Sequence, residues 1–329
     1  MNNVNSNSMV SRNFVQDFKE WEASGLFGSL VLLFIILSFT APNFLTTGNL
    51  LNVLQQAAFF GMIAFAMTLV IVAGEIDVSV GSSVALSSAL LGVLVVNLSV
   101  PFWVGCVGVM MYSITVGMFA GWIRARFEVP SFISTLALYL SLKGFALLIT
   151  ETFAIPIDSK EFFYWKSGKL FGLPIAAIYM ILIFVLVSLF STKTVFGRSI
   201  YAVGGNAKAA LLSGINVKRV RIFVFALTGA MAGFTGLLQS AQLSSGNPSI
   251  GLGLEFDAIS AVIIGGTSLM GGKGSVFGTL LGVLLIAVLS NGMVLLGVNP
   301  YAQNVIRGGI VLGAVLISVI RRERMKGKI

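Results

Sequence analysis

Residues 49–97, NLLNVLQQAAFFGMIAFAMTLVIVAGEIDVSVGSSVALSSALLGVLVVN, hold two long apolar runs separated by a stretch of another character. The runs 49–73 and 80–97 each match the roughly 17 to 25 mostly apolar residues that a helix needs to cross the hydrocarbon core of a bilayer. Between them, Ala73-Gly-Glu-Ile-Asp-Val-Ser-Val-Gly81 places two carboxylates, a serine and glycines. Two readings are open. One is a tight turn at the membrane face. The other is a broken helix whose unwound backbone and small polar side chains face a cavity, because irregular backbone at membrane depth is tolerated only there or inside protein.

Outward from this stretch the same pattern continues. The chain has 329 residues, 57% of them hydrophobic and only 10% charged, too apolar for an ordinary soluble domain. Apolar runs fall at 26–41, 49–73, 80–97, 102–123, 132–150, 174–191, 222–243, 255–268, 275–297 and 302–320, so an all-α, polytopic membrane protein of about ten transmembrane helices is expected. Residues 26–320 form the membrane domain. Residues 1–25 precede it without the apolar core of a cleavable signal peptide. There Phe14, Phe18 and Trp21 share one helix face, which reads as an amphipathic segment on the membrane surface.

Positive charge sets the orientation, since cytoplasmic loops are enriched in Lys and Arg. With the N-terminus inside, alternation puts inside Arg12, Lys19, Arg124, Arg126, six basic residues between Lys193 and Arg221, Lys273, and five in the tail 321–329. That is 16 of the 21 basic residues. Both termini are therefore expected in the cytoplasm. The net charge of +9 is explained by this sidedness, so no nucleic-acid partner is expected. Cys106 lies in an apolar run and, as the single cysteine, forms no internal disulfide.

Several chemistries are excluded. The chain has no histidine, which removes His-based zinc, haem, nucleophile and proton-relay sites. No phosphate-binding Gly-x4-Gly-Lys-Ser/Thr loop is present; the nearest approach, Thr267 to Gly274, lacks its first Gly and ends in Gly. No catalytic residue, metal or cofactor of its own is expected. Any ATP must be bound by another subunit.

Charges inside the runs are informative because each is costly in lipid, about 2.5 to 3.5 kcal/mol at the bilayer centre on insertion scales. Lys143 and Arg307 lie within runs, and Glu255 and Asp257 open the eighth. They either line a polar path or, for the two cations, snorkel to the interface. Pro248-Ser-Ile-Gly251, ahead of Glu255 and Asp257, echoes the first break at the opposite side, which hints at an inverted repeat. Glycines four apart at 117/121, 229/233, 278/282 and 309/313 are spaced for close helix packing.

The loop 193–221 carries six basic residues and no acidic one. Within it Asn206 is a good N-cap, Ala207 to Ser213 reads as about two helical turns, and Gly214 suits a helix C-terminus that needs positive φ. A capped helix in a basic membrane-protein loop points to docking.

These stretches resemble the membrane permeases of ribose-type ABC importers, the inner-membrane subunits of the branched-chain amino acid/ribose permease family. Four motifs carry the resemblance: Ala73 to Ser82, Val129 to Ala137, Phe196 to Val220, and Leu254 to Val298. The resemblance implies a permease that passes a pentose, hexose or polyol from an extracytoplasmic substrate-binding protein, powered by ATPase subunits on separate chains, with a second permease copy beside it. It further implies that Gly204, Gly205, Asn206, Ala209, Ala210, Ser213, Gly214 and Ile215 belong to the segment that couples to the ATPase. Candidates for pathway polarity are Glu75, Asp77, Ser79, Ser131, Asn247, Glu255 and Asp257. Ribose-type permeases more often carry a small residue where this chain has Glu75. The competing class is an ion-coupled secondary transporter or channel for a small polar solute; it would explain the echo and the intramembrane charges, but leaves the capped loop without a purpose.

Overall fold

The computed structural model describes residues 23–325. The amphipathic segment expected before them and the last residues of the basic tail lie outside this range. The helices are α1 (Ala23–Thr40), α2 (Thr47–Val72), α3 (Val80–Gly92, continued by a π-helical turn, Val93–Asn97), α4 (Phe102–Phe127), α5 (Ser131–Ile149), α6 (Lys160–Ser167) and α7 (Ile175–Lys193). They continue with α8 (Val195–Gly205), α9 (Ala207–Leu212), α10 (Val217–Leu243), α11 (Leu254–Ile264), α12 (Val276–Leu295) and α13 (Pro300–Met325). Two-residue strands pair Ile155–Pro156 with Ser245–Gly246, and Lys169–Leu170 with Leu173–Pro174.

Each expected run falls on a helix, but not all are alike. Among the described residues seven helices are long and apolar enough to cross a membrane: α2, α3 with its π turn, α4, α5, α7, α10 and α12. The largest departure is the eighth run. Where 255–268 was expected to cross, α11 has 11 residues, about 16 Å at 1.5 Å per residue, roughly half of a hydrocarbon core. The Gly265-Gly266 pair ends it, with Gly266 at φ +88°. The stretch expected as a loop between Lys193 and Arg221 also holds more helix than its charge suggested, because α8 precedes the capped α9.

The core is built around α2, buried continuously from Gly61 to Val72, as befits a helix that is apolar on every side. Around it the packing follows a crossed pattern. Long helix α10 lies along α4, and α2 along α12; short α3 packs on α10 and α5, while short α11 packs on α2, α12 and α13. Small residues set the closest approach. A Cβ at Gly121 would come within 2.6 Å of Ile222 Cα, and one at Gly233 within 2.6 Å of Ser113 Oγ, contacts that let two backbones touch where lipid offers no hydrophobic drive. The spacing at Gly309 and Gly313 does no such work here, since a Cβ at either meets nothing within 4 Å.

Arg124, Arg126, Lys193 and the first turn of α10 cluster at one end of the bundle, called the basic end below.

Candidate functional site

Two breaks enter the bundle from opposite ends and meet inside it. The first begins where α2 stops. Gly74, at φ +78°, donates to Ile71 O and Glu75 donates to Val70 O, the paired bonds of a Schellman stop that only a residue free of Cβ strain makes cheaply. The chain then runs without helix to Ser79. Its backbone groups, which lipid could not satisfy, find partners on the first turn of α5: Ile76 N donates to Ser131 Oγ at 3.1 Å and Val78 N to Thr135 Oγ1 at 3.2 Å. Asp77 Oδ1 accepts from Ser79 N at 3.0 Å and from Ser79 Oγ at 2.6 Å, and Asp77 Oδ2 accepts from Thr228 Oγ1 on α10 at 2.8 Å. Thus Asp77, Ser79 and Ser131, all buried, are fully engaged in holding this backbone.

Glu75 is held differently. Its carboxylate is buried, 2% exposed, and receives Arg124 Nε at 2.9 and 2.8 Å on its two oxygens. Arg221 Nε of α10 lies 2.7 Å from Oε1, an ion-pair contact in which that nitrogen makes no hydrogen bond. Arg124 also donates to Glu128 O, which caps the end of α4. One carboxylate therefore ties the break to two neighbouring helices at the basic end.

The second break follows α10. Ser244 turns the chain through φ +51°, and Asn247 N donates to Ser88 Oγ of α3 at 2.9 Å while Ser240 Oγ donates to the same oxygen at 2.6 Å. Asn247 Oδ1 accepts from Ser249 N, so this candidate shapes the turn. Gly251 then reaches Gly81, where a Cβ would come 2.6 Å from the opposing carbonyl oxygen. Glu255 closes the junction: it is fully buried, its Oε2 accepts from Gly253 N at 3.1 Å and lies against Gly81, and its Oε1 has no hydrogen-bond partner. The first turns of α3 and α11 thus converge on one carboxylate, a polarity that the N-terminal ends of helices favour.

Two residues along α11, Asp257 pairs with Arg307 of α13 at 3.4 Å. Together with Ser260, Ser290 and Met293 they line a shallow cleft. Lys143 is half-buried on α5.

The segment expected to couple stands at the basic end. Asn206 Oδ1 accepts from Ala209 N at 3.0 Å, and α9 ends in a second Schellman stop, with Gly214 at φ +84° donating to Leu211 O and Ile215 donating to Ala210 O. Ala210 and Ile215 turn toward the protein, whereas Asn206, Ala209, Ser213 and Gly214 are exposed. Leu212 is 89% exposed, an apolar side chain at the tip of a basic surface. Behind it α8 presses on the core: Ile200 and Val203 are buried, and Gly204 sits so close to the end of α2 that a Cβ would strike Val72 O. Gly272 N bonds that same carbonyl at 2.8 Å, and a Cβ on Gly271 would be 3.0 Å from Gly74. The arm made by α8 and α9 therefore touches the end of α2, and Gly271 bridges it to Gly74 of the first break.

Several residues of this site were not singled out from sequence. Arg124 and Arg221 counted only as interfacial charge, and Thr135, Thr228 and Ser88 as polar atoms in apolar helices. A hydroxyl within a buried span, free to bond backbone elsewhere, was the signal available for the last three.

Comparison with known proteins places the chain among transport components. Residues 49–316 match the family described as branched-chain amino acid transport system / permease component. The chain is 48% identical over 300 residues to the probable ABC transporter permease protein YphD of Escherichia coli K12, covering 91% of this chain and 90% of that one. It is 41% identical to the ribose import permease protein RbsC of Bacillus subtilis, covering 89% and 91%. It is 37% identical to the L-arabinose ABC transporter permease protein AraH of Azospirillum brasilense, covering 92% and 89%. No solved structure matches the chain.

Proposed function

The chain belongs to the family of branched-chain amino acid transport system permease components, and we propose that it is the membrane subunit of an ABC importer for a sugar. Its cargo class is a pentose, hexose or related polyol, in keeping with relatives named for ribose and arabinose. A substrate-binding protein delivers the sugar at the far end, and separate ATPase subunits, which bind the ATP, dock at the basic end. A second permease copy completes the pathway. The chain is a transport subunit, not an enzyme.

The observation that carries this reading is the arm. A capped helix with an 89% exposed leucine at its tip projects from a basic surface, and the glycine contacts at its root join it to a break in the membrane core. That is the arrangement a lever needs if work done outside the membrane is to reach the pathway within it.

The topology follows from the same reading. The basic end faces the cytoplasm of a bacterial cell, so that α1, the seven long helices, the crossing completed by half-length α11 and the non-helical stretch before it, and α13 make ten passages and bring both termini inside. The crossed packing, in which α2, α3, α4 and α5 relate to their neighbours as α10, α11, α12 and α13 relate to theirs, supports an inverted repeat. The first turns of α3 and α11 meet at Gly81, Gly251 and Glu255. Pathway polarity comes from that junction, with Glu255 and Asp257 as its ionisable members; Asp77, Ser79, Ser131 and Asn247 shape the walls.

The test is association with the ATPase. Ala209→Arg, on the exposed face of α9, is expected to abolish copurification of the ATPase and ATP-driven sugar uptake while the permease still reaches the membrane. Undiminished association and transport in that variant would sink the assignment of the arm.

A further inference from the structure

The ion cluster at Glu75 holds a distinctive place among the described residues. It lies on the chain between the arm and the junction of α3 with α11. On one side Gly74, the adjacent residue, is in contact range of Gly271, and Gly204 and Gly272 converge on Val72 O. On the other side Asp77 is bonded to Thr228, seven residues along α10 from Arg221 and therefore about 10 Å deeper in the bundle. The cluster spans three elements: the break itself, the end of α4 through Arg124, and the start of α10 through Arg221. A closed door at the basic end would need these three held together.

The balance of charge makes the cluster sensitive. Two guanidinium groups, 20% and 16% exposed, share one carboxylate that is 2% exposed. Without the carboxylate, two like charges on α4 and α10 would face each other at close range in a weakly screened site. Glu75 therefore both joins the helices and masks their repulsion.

We propose that Glu75, gripped by Arg124 and Arg221, is the latch that keeps the basic-end mouth of the first break closed, and that movement of the arm releases it. This rests on the importer reading for its purpose, since opening at that end is how cargo would leave. The contacts that join Glu75 to its two arginines stand apart from that reading. Glu75 thereby acts as a positioning residue: it touches no cargo, and it fixes the break through α4 and α10.

The test reads the opening itself. Val78, 6% exposed and just beyond Asp77, is replaced by cysteine as a reporter behind the latch. Natural Cys106, 5% exposed in the first turn of α4 at the opposite end, serves as the control in the same molecule. The full chain in vesicles is treated with N-ethylmaleimide, and modification of each cysteine is followed by peptide mass spectrometry. A buried thiol reacts in proportion to the time its cover is open, so Glu75→Gln should speed modification at position 78 about tenfold and leave Cys106 unchanged. A rise at both sites would mean general loosening and would overturn the latch, as would no rise at position 78. Should Glu75→Gln fail to accumulate in the membrane, Arg124→Gln, which removes the hydrogen bonds to both Glu75 oxygens, carries the same test with the same signs. N-ethylmaleimide crosses the bilayer and neither cargo nor ATPase is present, so this outcome is independent of the transport reading. That reading fails separately if the complete importer, without substitution, moves no sugar.

Discussion

The two breaks solve the same problem, a non-helical backbone in the middle of an apolar bundle, with unequal completeness. In the first, the acceptors are engaged, both oxygens of Asp77, the hydroxyls of Ser79 and Ser131, and both oxygens of Glu75, and an unpartnered atom beside them, Arg221 Nε, is a donor. In the second, Glu255 is fully buried with one oxygen unpartnered, and Asp257 reaches Arg307 only at 3.4 Å. A buried polar group left unsatisfied costs free energy that a satisfied one does not. The first break is thus a closely bonded strut, and the second is the side with polar capacity to spare. Capacity of that kind is what a passing cluster of hydroxyl groups would use.

Alanine substitutions at the two carboxylates probe this contrast at its largest. Asp77→Ala strips acceptors from Ser79 N and Oγ inside the core and should cost about 3 kcal/mol of stability. Thermal unfolding of the purified chain in detergent measures it, and a cost near zero would remove the strut. Next comes the junction where the breaks touch. Gly81→Ala would drive a methyl group into Glu255 and the carbonyl of Gly251, an overpacking expected to cost about 2 kcal/mol. A neutral outcome there would mean that the first turns of α3 and α11 do not meet as closely as described.

Smaller effects sharpen the comparison. Glu255→Ala surrenders the bond from Gly253 N but also relieves an unpartnered buried oxygen, so the same unfolding measurement should show about 1 kcal/mol or less. Costs of equal size at Asp77 and Glu255 would erase the distinction between the breaks. Asn206→Ala removes the cap of α9, worth about 1 kcal/mol to that helix. Amide hydrogen exchange should then speed in α9 and leave the amides of Ile76 and Val78 protected. Faster exchange in the first break as well would show that arm and break are one cooperative unit rather than lever and load.

Much of this was legible in the residues. Apolar runs located the helices, and Asn206 and Gly214 marked both ends of α9 because caps depend on local chemistry that a short window contains. The two breaks were visible for the same reason. What escaped depended on distance along the chain. The shortness of α11 was hidden because the apolar run continues past Ile264 and only the Gly265-Gly266 turn ends the helix. Helix α8 was masked by the charge of its loop, although Phe196, Ile200 and Val203 mark an inward face. The grip of Arg124 and Arg221 on Glu75 joins residues 49 and 146 positions apart, and no periodicity records such a pairing. Gly309 and Gly313 carry the same spacing, and within this chain a Cβ at either meets no neighbour.

The central claim is that work reaches this membrane domain from an ATPase on another chain, through the arm. Uptake of labelled ribose, arabinose and xylose into vesicles holding the permease, its ATPase and its binding protein tests it most directly, with ATP and ion gradients varied independently. Uptake of at least one of these sugars is expected to require ATP, to be lost in Ala209→Arg, and to survive collapse of the proton and sodium gradients. Uptake that continues without ATP and stops when those gradients collapse would contradict it.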